Sequence, residues 1–391
     1  MTVSRRIGSL ALALASLSTA FAGSSPRSVG HRSSASMSVS TSSPAAADSY
    51  MIHNLVSDGF ATADTTDADL VNPWGIAFNP NGFVWIANNH SGVSTLFDGS
   101  GVKQSLVVTV PPPAGGSGQS APTGIVFSGG SEFVVTEGKK SGPSRFIFAT
   151  EDGTISAWAP NVDFTNAVLE IDNSESGAIY KGLALATNGN SYYLYATDFH
   201  NGKIAVFDSS FKPATLSGAF ADSKIPAGYA PFGIQSISGN LYVTYAKQGP
   251  GAVDDAAGAG FGFVDVFDAN GHLIRRFASH GKLNAPWGLA LAPADFGQFS
   301  STLLVGNFGD GRINAYDLAT GGFRGQLRQT DGRPLAIEGL WGLAFGNGLF
   351  GQPTNALFFT AGPGDEEHGI YGRIETAPGG GHDGDHDRDD D

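Results

Sequence analysis

The chain has 391 residues, a formal net charge of −14 and no cysteine. An acidic surface repels phosphate backbones, so nucleic acid is excluded as a partner, while cations and basic surfaces are favoured. The absence of cysteine excludes disulfides and thiol catalysis, so stability must come from a large apolar core.

The N-terminus reads as an export signal. Arg5 and Arg6 precede the apolar stretch Ile7 to Ala22, which ends in the small-residue pattern Ala20-Phe21-Ala22 of a cleaved peptide, residues 1–22. The stretch is too short and too rich in Ala and Ser for a membrane anchor. A secreted or periplasmic, extracytoplasmic protein with no membrane span after cleavage is expected, by the Sec or the Tat route. Residues 23–48 are mostly Ser, Ala and Pro with almost no large apolar side chains, so a disordered linker is expected there.

A short motif then recurs six times: Pro73-Trp74-Gly75-Ile76, Pro122-Thr123-Gly124-Ile125, Tyr180-Lys181-Gly182-Leu183, Pro231-Phe232-Gly233-Ile234, Pro286-Trp287-Gly288-Leu289 and Leu340-Trp341-Gly342-Leu343. Successive glycines are 49, 58, 51, 55 and 54 residues apart, the length of one four-stranded propeller blade. The spacing predicts an all-β, six-bladed β-propeller with four-stranded antiparallel blades over residues 49–378.

In blade one, strands at Gly75 to Phe78, Phe83 to Ala87, Val93 to Phe97 and about Gln104 to Val110 are separated by Asn-Pro, Asn-Gly and Gly-rich turns. Blade two offers two candidates for its second strand, Phe133 to Glu137 and Arg145 to Gly153. Blade three repeats the pattern as Tyr193 to Thr197, Asp198-Phe199-His200-Asn201-Gly202 and Lys203 to Asp208, and blade five as Leu303 to Gly306, Asn307-Phe308-Gly309-Asp310-Gly311 and Arg312 to Asp317. Blade four carries a Gly/Ala/Asp insertion, Lys247 to Gly260, and long loops on rigid scaffolds are where function concentrates. The last repeat supplies three strands, so Tyr50 to Ser57 is predicted to be its outer strand and to close the ring. Residues 379–391 are expected to be a disordered, acidic His/Asp tail in which His382 and His386 could bind a metal weakly.

This grammar of Pro-aromatic-Gly-Ile/Leu-Ala, an apolar strand, Asp or Asn, a Gly turn and a strand ending in Phe/Tyr-Asp is similar to the NHL repeat. The body resembles a family of exported bacterial six-bladed NHL-like propellers. The resemblance implies the fold and leaves the activity open, because such propellers include binding platforms and enzymes.

The loops entering the inner strands and those between strands two and three open on one face, around the channel mouth. Candidate ligand-binding residues there are Asn88, Asn89, Lys181, Tyr245, Asn307 and Glu338, with Asn72 beside them. Candidate ligands for Ca²⁺, which takes six to eight oxygens, are Glu137, Asp198, Asp254, Asp255, Asp365 and Glu366. The competing reading is that Asp or Asn after strand two folds back onto its own turn. Trp74, Trp287 and Trp341 are read as wedges between blades, with an exposed aromatic platform as the alternative. No phosphate loop, Gly-x-Ser-x-Gly elbow or His-Glu-x-x-His is present. The sequence therefore reads as an exported, monomeric binding or protein-interaction module for an extracytoplasmic protein or small ligand, with a Ca²⁺-dependent hydrolase or lactonase as the alternative.

Overall fold

The computed structural model describes residues 49–377. The expected signal peptide, linker and acidic tail lie outside the described residues. Six antiparallel sheets follow one another in chain order. Blade one is Pro73–Phe78, Val84–Asn88, Val93–Phe97 and Lys103–Thr109, and blade two is Pro122–Phe127, Phe146–Thr150, Thr154–Trp158 and Val168–Asp172. Blade four is Tyr229–Ile237, Asn240–Lys247, Phe263–Phe267 and Leu273–Ser279, and blade five is Pro286–Leu291, Thr302–Asn307, Ile313–Asp317 and Phe323–Gln326. The six-bladed β-propeller is as the motif spacing predicts.

Three details differ from the simplest expectation. Blade three has three strands, Tyr180–Asn188, Ser191–Asp198 and Lys203–Asp208. Where a fourth would follow, Pro213 and Pro226 each remove a ladder donor, and Pro213 makes only an isolated bridge to Phe207. In blade two the second strand is Phe146–Thr150, while Val134–Glu137 and Lys140–Pro143 form a separate hairpin. Blade six is Leu340–Phe345, Leu357–Ala361, Ile370–Thr376 and Tyr50–Ser57, with Thr65–Thr66 added in parallel.

The N-terminal strand closes the ring. Its register runs from Tyr50 opposite Thr376 to Ser57 opposite Ile370. Tyr50, Leu55 and Val56 are buried, and the Tyr50 hydroxyl donates to the Phe296 carbonyl oxygen at 3.0 Å.

The motif glycines set the radius of the channel. A Cβ on Gly288 would stand 2.5 Å from the Trp341 carbonyl oxygen, on Gly342 2.6 Å from that of Trp74, and on Gly182 2.9 Å from that of Phe232. Gly75 and Gly233 meet the carbonyls of Thr123 and Trp287 in the same way. Each inner strand thus rests its glycine on the backbone of the next, which any side chain would prevent. Threonines stitch several seams: Thr360 Oγ1 accepts from the Gly342 amide at 2.9 Å and donates to the Trp74 carbonyl at 2.6 Å. Thr197 does the same for Gly182 and Phe232, both at 2.7 Å.

A candidate binding site at the channel mouth

Side chains alternate along a strand, and this period decides what reaches the mouth. A residue at or near the end of strand two pairs with the first residue of the motif: Asn88 with Pro73, Thr150 with Pro122, Asp198 with Tyr180, Tyr245 with Pro231 and Asn307 with Pro286. These side chains serve the sheet. Asn88 Nδ2 donates to Thr95 Oγ1 at 2.9 Å. Asp198 accepts from Asn201 Nδ2 at 2.9 Å, and Asn307 Nδ2 donates to the Lys282 carbonyl at 2.8 Å and to Asp310 at 2.9 Å. Tyr245 packs in the apolar cluster of blades three and four, where burial pushes its hydroxyl far above the usual tyrosine range.

The following residue turns toward the mouth: Asn89, Glu151, Phe199, Ala246 and Phe308 in blades one to five. Phe199, Ala246 and Phe308 join Phe232, Trp74, Trp287 and Trp341 in one buried cluster. Trp74 and Trp341 stack with centroids 3.5 Å apart, Phe308 stacks on Trp341 at 4.0 Å, and Trp287 stands edge-on to Trp341 at 5.7 Å. None of the three tryptophans is more than 9% exposed. They are neither inter-blade wedges nor an open platform. The second motif position points at the axis, so its rings meet one another and plug the channel. Beneath the plug is a cavity of about 40 Å³ lined by the motif glycines.

Lys181 holds this second motif position in blade three, and its side chain is 1% exposed. Its Nζ pairs with Glu151 and lies 3.3 Å from Asp254, 5.0 Å from the Trp74 ring centre and 5.9 Å from that of Phe199. Burial alone would lower the Lys181 pKa, but its ion pairs, Glu151 first and then Asp254, hold it above the usual value. Asn89 Nδ2 donates to the other Glu151 oxygen at 2.8 Å.

A second strand of the network starts at Asn72, in the left-handed region at φ 45°. Its Oδ1 accepts from Trp341 Nε1 at 3.1 Å, and its Nδ2 donates to Glu366 Oε2 at 2.7 Å. Burial pushes the Glu366 carboxyl up to about 7, with Asn72 and Lys181 opposing and Glu151 and Asp254 adding to the rise. Asp255 is raised to about 6, again by burial, with Lys181 opposing. The blade-four insertion covers this network. Gln248 Nε2 donates to the Phe199 carbonyl at 2.7 Å on the blade-three side, and the Gly258 amide donates to Asn284 Oδ1 at 2.6 Å on the blade-five side.

The mouth therefore gathers Asn89, Lys181, Asp254, Asp255 and Glu366 from the sequence candidates. Glu338 stands at its edge, exposed, accepting from the Gly364 amide at 3.0 Å. Asp365 is exposed beside Glu366, and Glu137 is exposed on the extra hairpin of blade two. Among the described residues no three Asp, Glu or His groups converge to hold a metal ion, so the candidate Ca²⁺ ligands do not form a ready-made site. Sequence reasoning passed over Glu151, because the hairpin displaces the second strand of blade two. The signal was there: Thr150-Glu151-Asp152-Gly153 leads directly into the strand Thr154–Trp158, as Asp198 to Gly202 does in blade three.

No known protein-family profile matches the chain. It is 38% identical over 334 residues to the uncharacterized protein R648 of Acanthamoeba polyphaga mimivirus, covering 84% of this chain and 81% of that protein. It is 33% identical over 335 residues to the uncharacterized protein L690 of the same virus, covering 83% and 85%. The chain belongs to the family of these mimivirus proteins. The relatives are viral, whereas the repeat grammar pointed to bacterial NHL-like proteins. The apo form of the soluble aldose sugar dehydrogenase from Escherichia coli is similar in structure, with a TM-score of 0.51 and 13% identity, over 84% of this chain and 100% of that one. A protein of unknown function from Bacteroides thetaiotaomicron is similar at a TM-score of 0.50 and 12% identity, over 84% and 76%. At such identities the likeness speaks for the fold alone. Among the described residues no helix is long and apolar enough to cross a membrane.

Proposed function

We propose that the protein is a binding or protein-interaction module whose recognition site is the channel mouth. The observation that carries this reading is Lys181. Of six equivalent positions four are aromatic and one is threonine, and only this one holds a cation, clamped between carboxylates of blades two and four. An ion pair in a buried setting is a poorer stabiliser than the apolar rings that serve the other blades, so stability alone does not account for it. Five of the twelve non-glycine residues with positive φ among the described residues, Asn72, Ala252, Ala285, Asp365 and Glu366, lie in the loops of this face. With Glu151, Asp254, Asp255 and Glu366 facing one lysine, the rim favours a small cation or a basic partner surface.

The segment Arg5 to Ala22 supports placing this binding outside the cytoplasm, in a secreted or periplasmic monomer whose partner is an extracytoplasmic protein or small ligand. The reading is tested by a thermal-shift screen of small amines and guanidines at pH 7.5. A true mouth ligand raises the melting temperature of the parent protein and loses that effect in Glu366→Gln and Asp255→Asn. Hits that ignore both substitutions refute the site.

A second reading, a Ca²⁺-dependent hydrolase or lactonase, is favoured by Glu366, since a carboxyl titrating near 7 suits a general acid or base. It requires Asp254, Asp255 and Glu366 to draw together around the ion. A melting temperature that rises with millimolar Ca²⁺ and falls back with chelator supports it, and an unchanged curve removes it.

A further inference from the structure

The end of the propeller opposite the mouth carries a second concavity. The turns between strands one and two and between strands three and four lie at this end, and segments of blades six, one and two enclose a groove of about 620 Å³. That is the size of a pocket for a small organic ligand. Its floor is aromatic, the buried rings Trp85, Phe146 and Trp158 packing at 4.0 and 4.8 Å, and at its rim Phe83 faces the exposed Phe350 at 4.4 Å. Phe350 is 51% exposed and has φ 48°, a conformation that bulky residues avoid. Backbone strain is accepted here to present a ring at the rim.

One charged side chain lines the groove, Arg145. Its backbone is fixed on both sides, the amide donating to the Trp158 carbonyl at 2.7 Å and the carbonyl accepting from the Ser128 amide at 2.8 Å. The guanidinium donates from Nη1 to the Gly130 carbonyl at 3.1 Å, and among the described residues no carboxylate pairs with it. A guanidinium has five N–H donors, so most of this fork is open. In a chain of net charge −14, two half-buried arginines among the described residues lack a carboxylate partner: Arg275 spends both Nη atoms on the Ala319 and Leu318 carbonyls, whereas Arg145 spends one.

We infer that this groove binds a planar, apolar carboxylic acid. The ring lies on the aromatic floor against the Phe350 rim, and the carboxylate takes the open fork of Arg145 in the planar, two-bond geometry that guanidinium and carboxylate share. A single guanidinium suits one carboxylate better than a phosphate, whose second charge would stand unmatched in an acidic surface. The amides of Asn79 and Asn81 at the rim are placed to meet polar substituents on the acid. This site is separate from the mouth, since it shares no residue with the Lys181 network.

The test is calorimetric titration of the protein with 2-naphthoate, with neutral 2-naphthamide as the uncharged isostere, alongside quenching of tryptophan fluorescence. The expected result is saturable one-to-one binding of the acid, at least about tenfold tighter than the amide. Arg145→Gln brings the acid down to the level of the amide and leaves the amide unchanged, and Arg145→Lys restores only part because an ammonium cannot form the fork. Phe350→Ala, on an exposed loop, weakens both ligands and covers the case in which Arg145→Gln fails to fold. No saturable binding of 2-naphthoate at millimolar concentration, equal binding of acid and amide, or acid binding indifferent to both Arg145→Gln and Phe350→Ala overturns the inference.

Discussion

The closure seam between blades six and one allows the packing argument to be tested at one atom. In Gly342→Ala the new Cβ would lie 2.6 Å from the Trp74 carbonyl oxygen, 2.6 Å from Ile76 Cγ2 and 2.7 Å from Thr360 Oγ1. Two of these atoms belong to the next blade and the third is the hydroxyl that ties the seam. Nothing here is the free end of a flexible chain, so the inner strands must part. Overpacking a filled core costs about 1–3 kcal/mol, and straining the Thr360 bridge adds about 1 kcal/mol. Unfolding entropy scaled to a body of this size is about 0.7 kcal/mol/K, so a loss of about 3 kcal/mol lowers the melting temperature by about 4 °C. Calorimetry on the parent and Gly342→Ala measures this directly. Thr360→Val, which leaves the Gly342 amide and Trp74 carbonyl without their partner, should cost about 1–2 kcal/mol by itself. A Gly342→Ala protein melting at the parent temperature would show that the inner strands have slack and that the glycine ring does not set the channel radius.

Other expectations follow from the same geometry. Lys181→Met leaves Glu151 facing the plug without its cation, so stability should fall by about 3 kcal/mol and return in large part with Glu151→Gln added; urea midpoints that show the double variant no more stable than the single would sink the pairing argument. Glu366 has a folded pKa near 7, above its ordinary 4.5, so the folded state holds its proton more tightly and its contribution is fully present at low pH and lost as pH rises from about 4.5 to about 7. Glu170, also raised to about 7 by burial, acts with the same sign, so Glu366→Gln should flatten that slope in part, and an unaltered slope across pH 5 to 7 would contradict the assignment. Removing residues 49–58 opens blade six and exposes the Ile370–Thr376 edge, so cooperative unfolding should disappear; a single sharp transition at the parent temperature would show closure to be dispensable.

The ring was legible in the sequence because every blade needs the same thing at the same place. A glycine that must touch the next backbone cannot vary, and six of them at nearly even spacing count the blades. The closing strand was legible too, since Tyr50 to Ser57 had β pattern but no repeat of its own. The mouth was harder to read. Asn88, Asp198 and Asn307 stood out as polar residues after strand two, but the pleat sends them into their own sheet and the neighbours Asn89, Phe199 and Phe308 to the axis. Glu151 escaped because an inserted hairpin broke the count in blade two. The tryptophans were assigned to seams because a sequence shows that six residues are equivalent and not that they converge. Lys181 is the exception, visible as a departure from the aromatic pattern and placed by the fold where that departure is most costly.

Closure by the first strand also sets a timetable for folding. Tyr50 is among the first residues of the body to leave the ribosome, and its partner Thr376 is among the last. At about 5–20 residues per second, the N-terminal strand waits roughly 15 to 65 s before the edge that completes it exists. Earlier blades can form in sequence during that time, each resting its glycine on the next, but the ring stays open with two bare edges until the Ile370–Thr376 strand has emerged. Ring closure is therefore the last step in assembling the blades, and agents that hold unpaired strands apart have their whole opportunity before it.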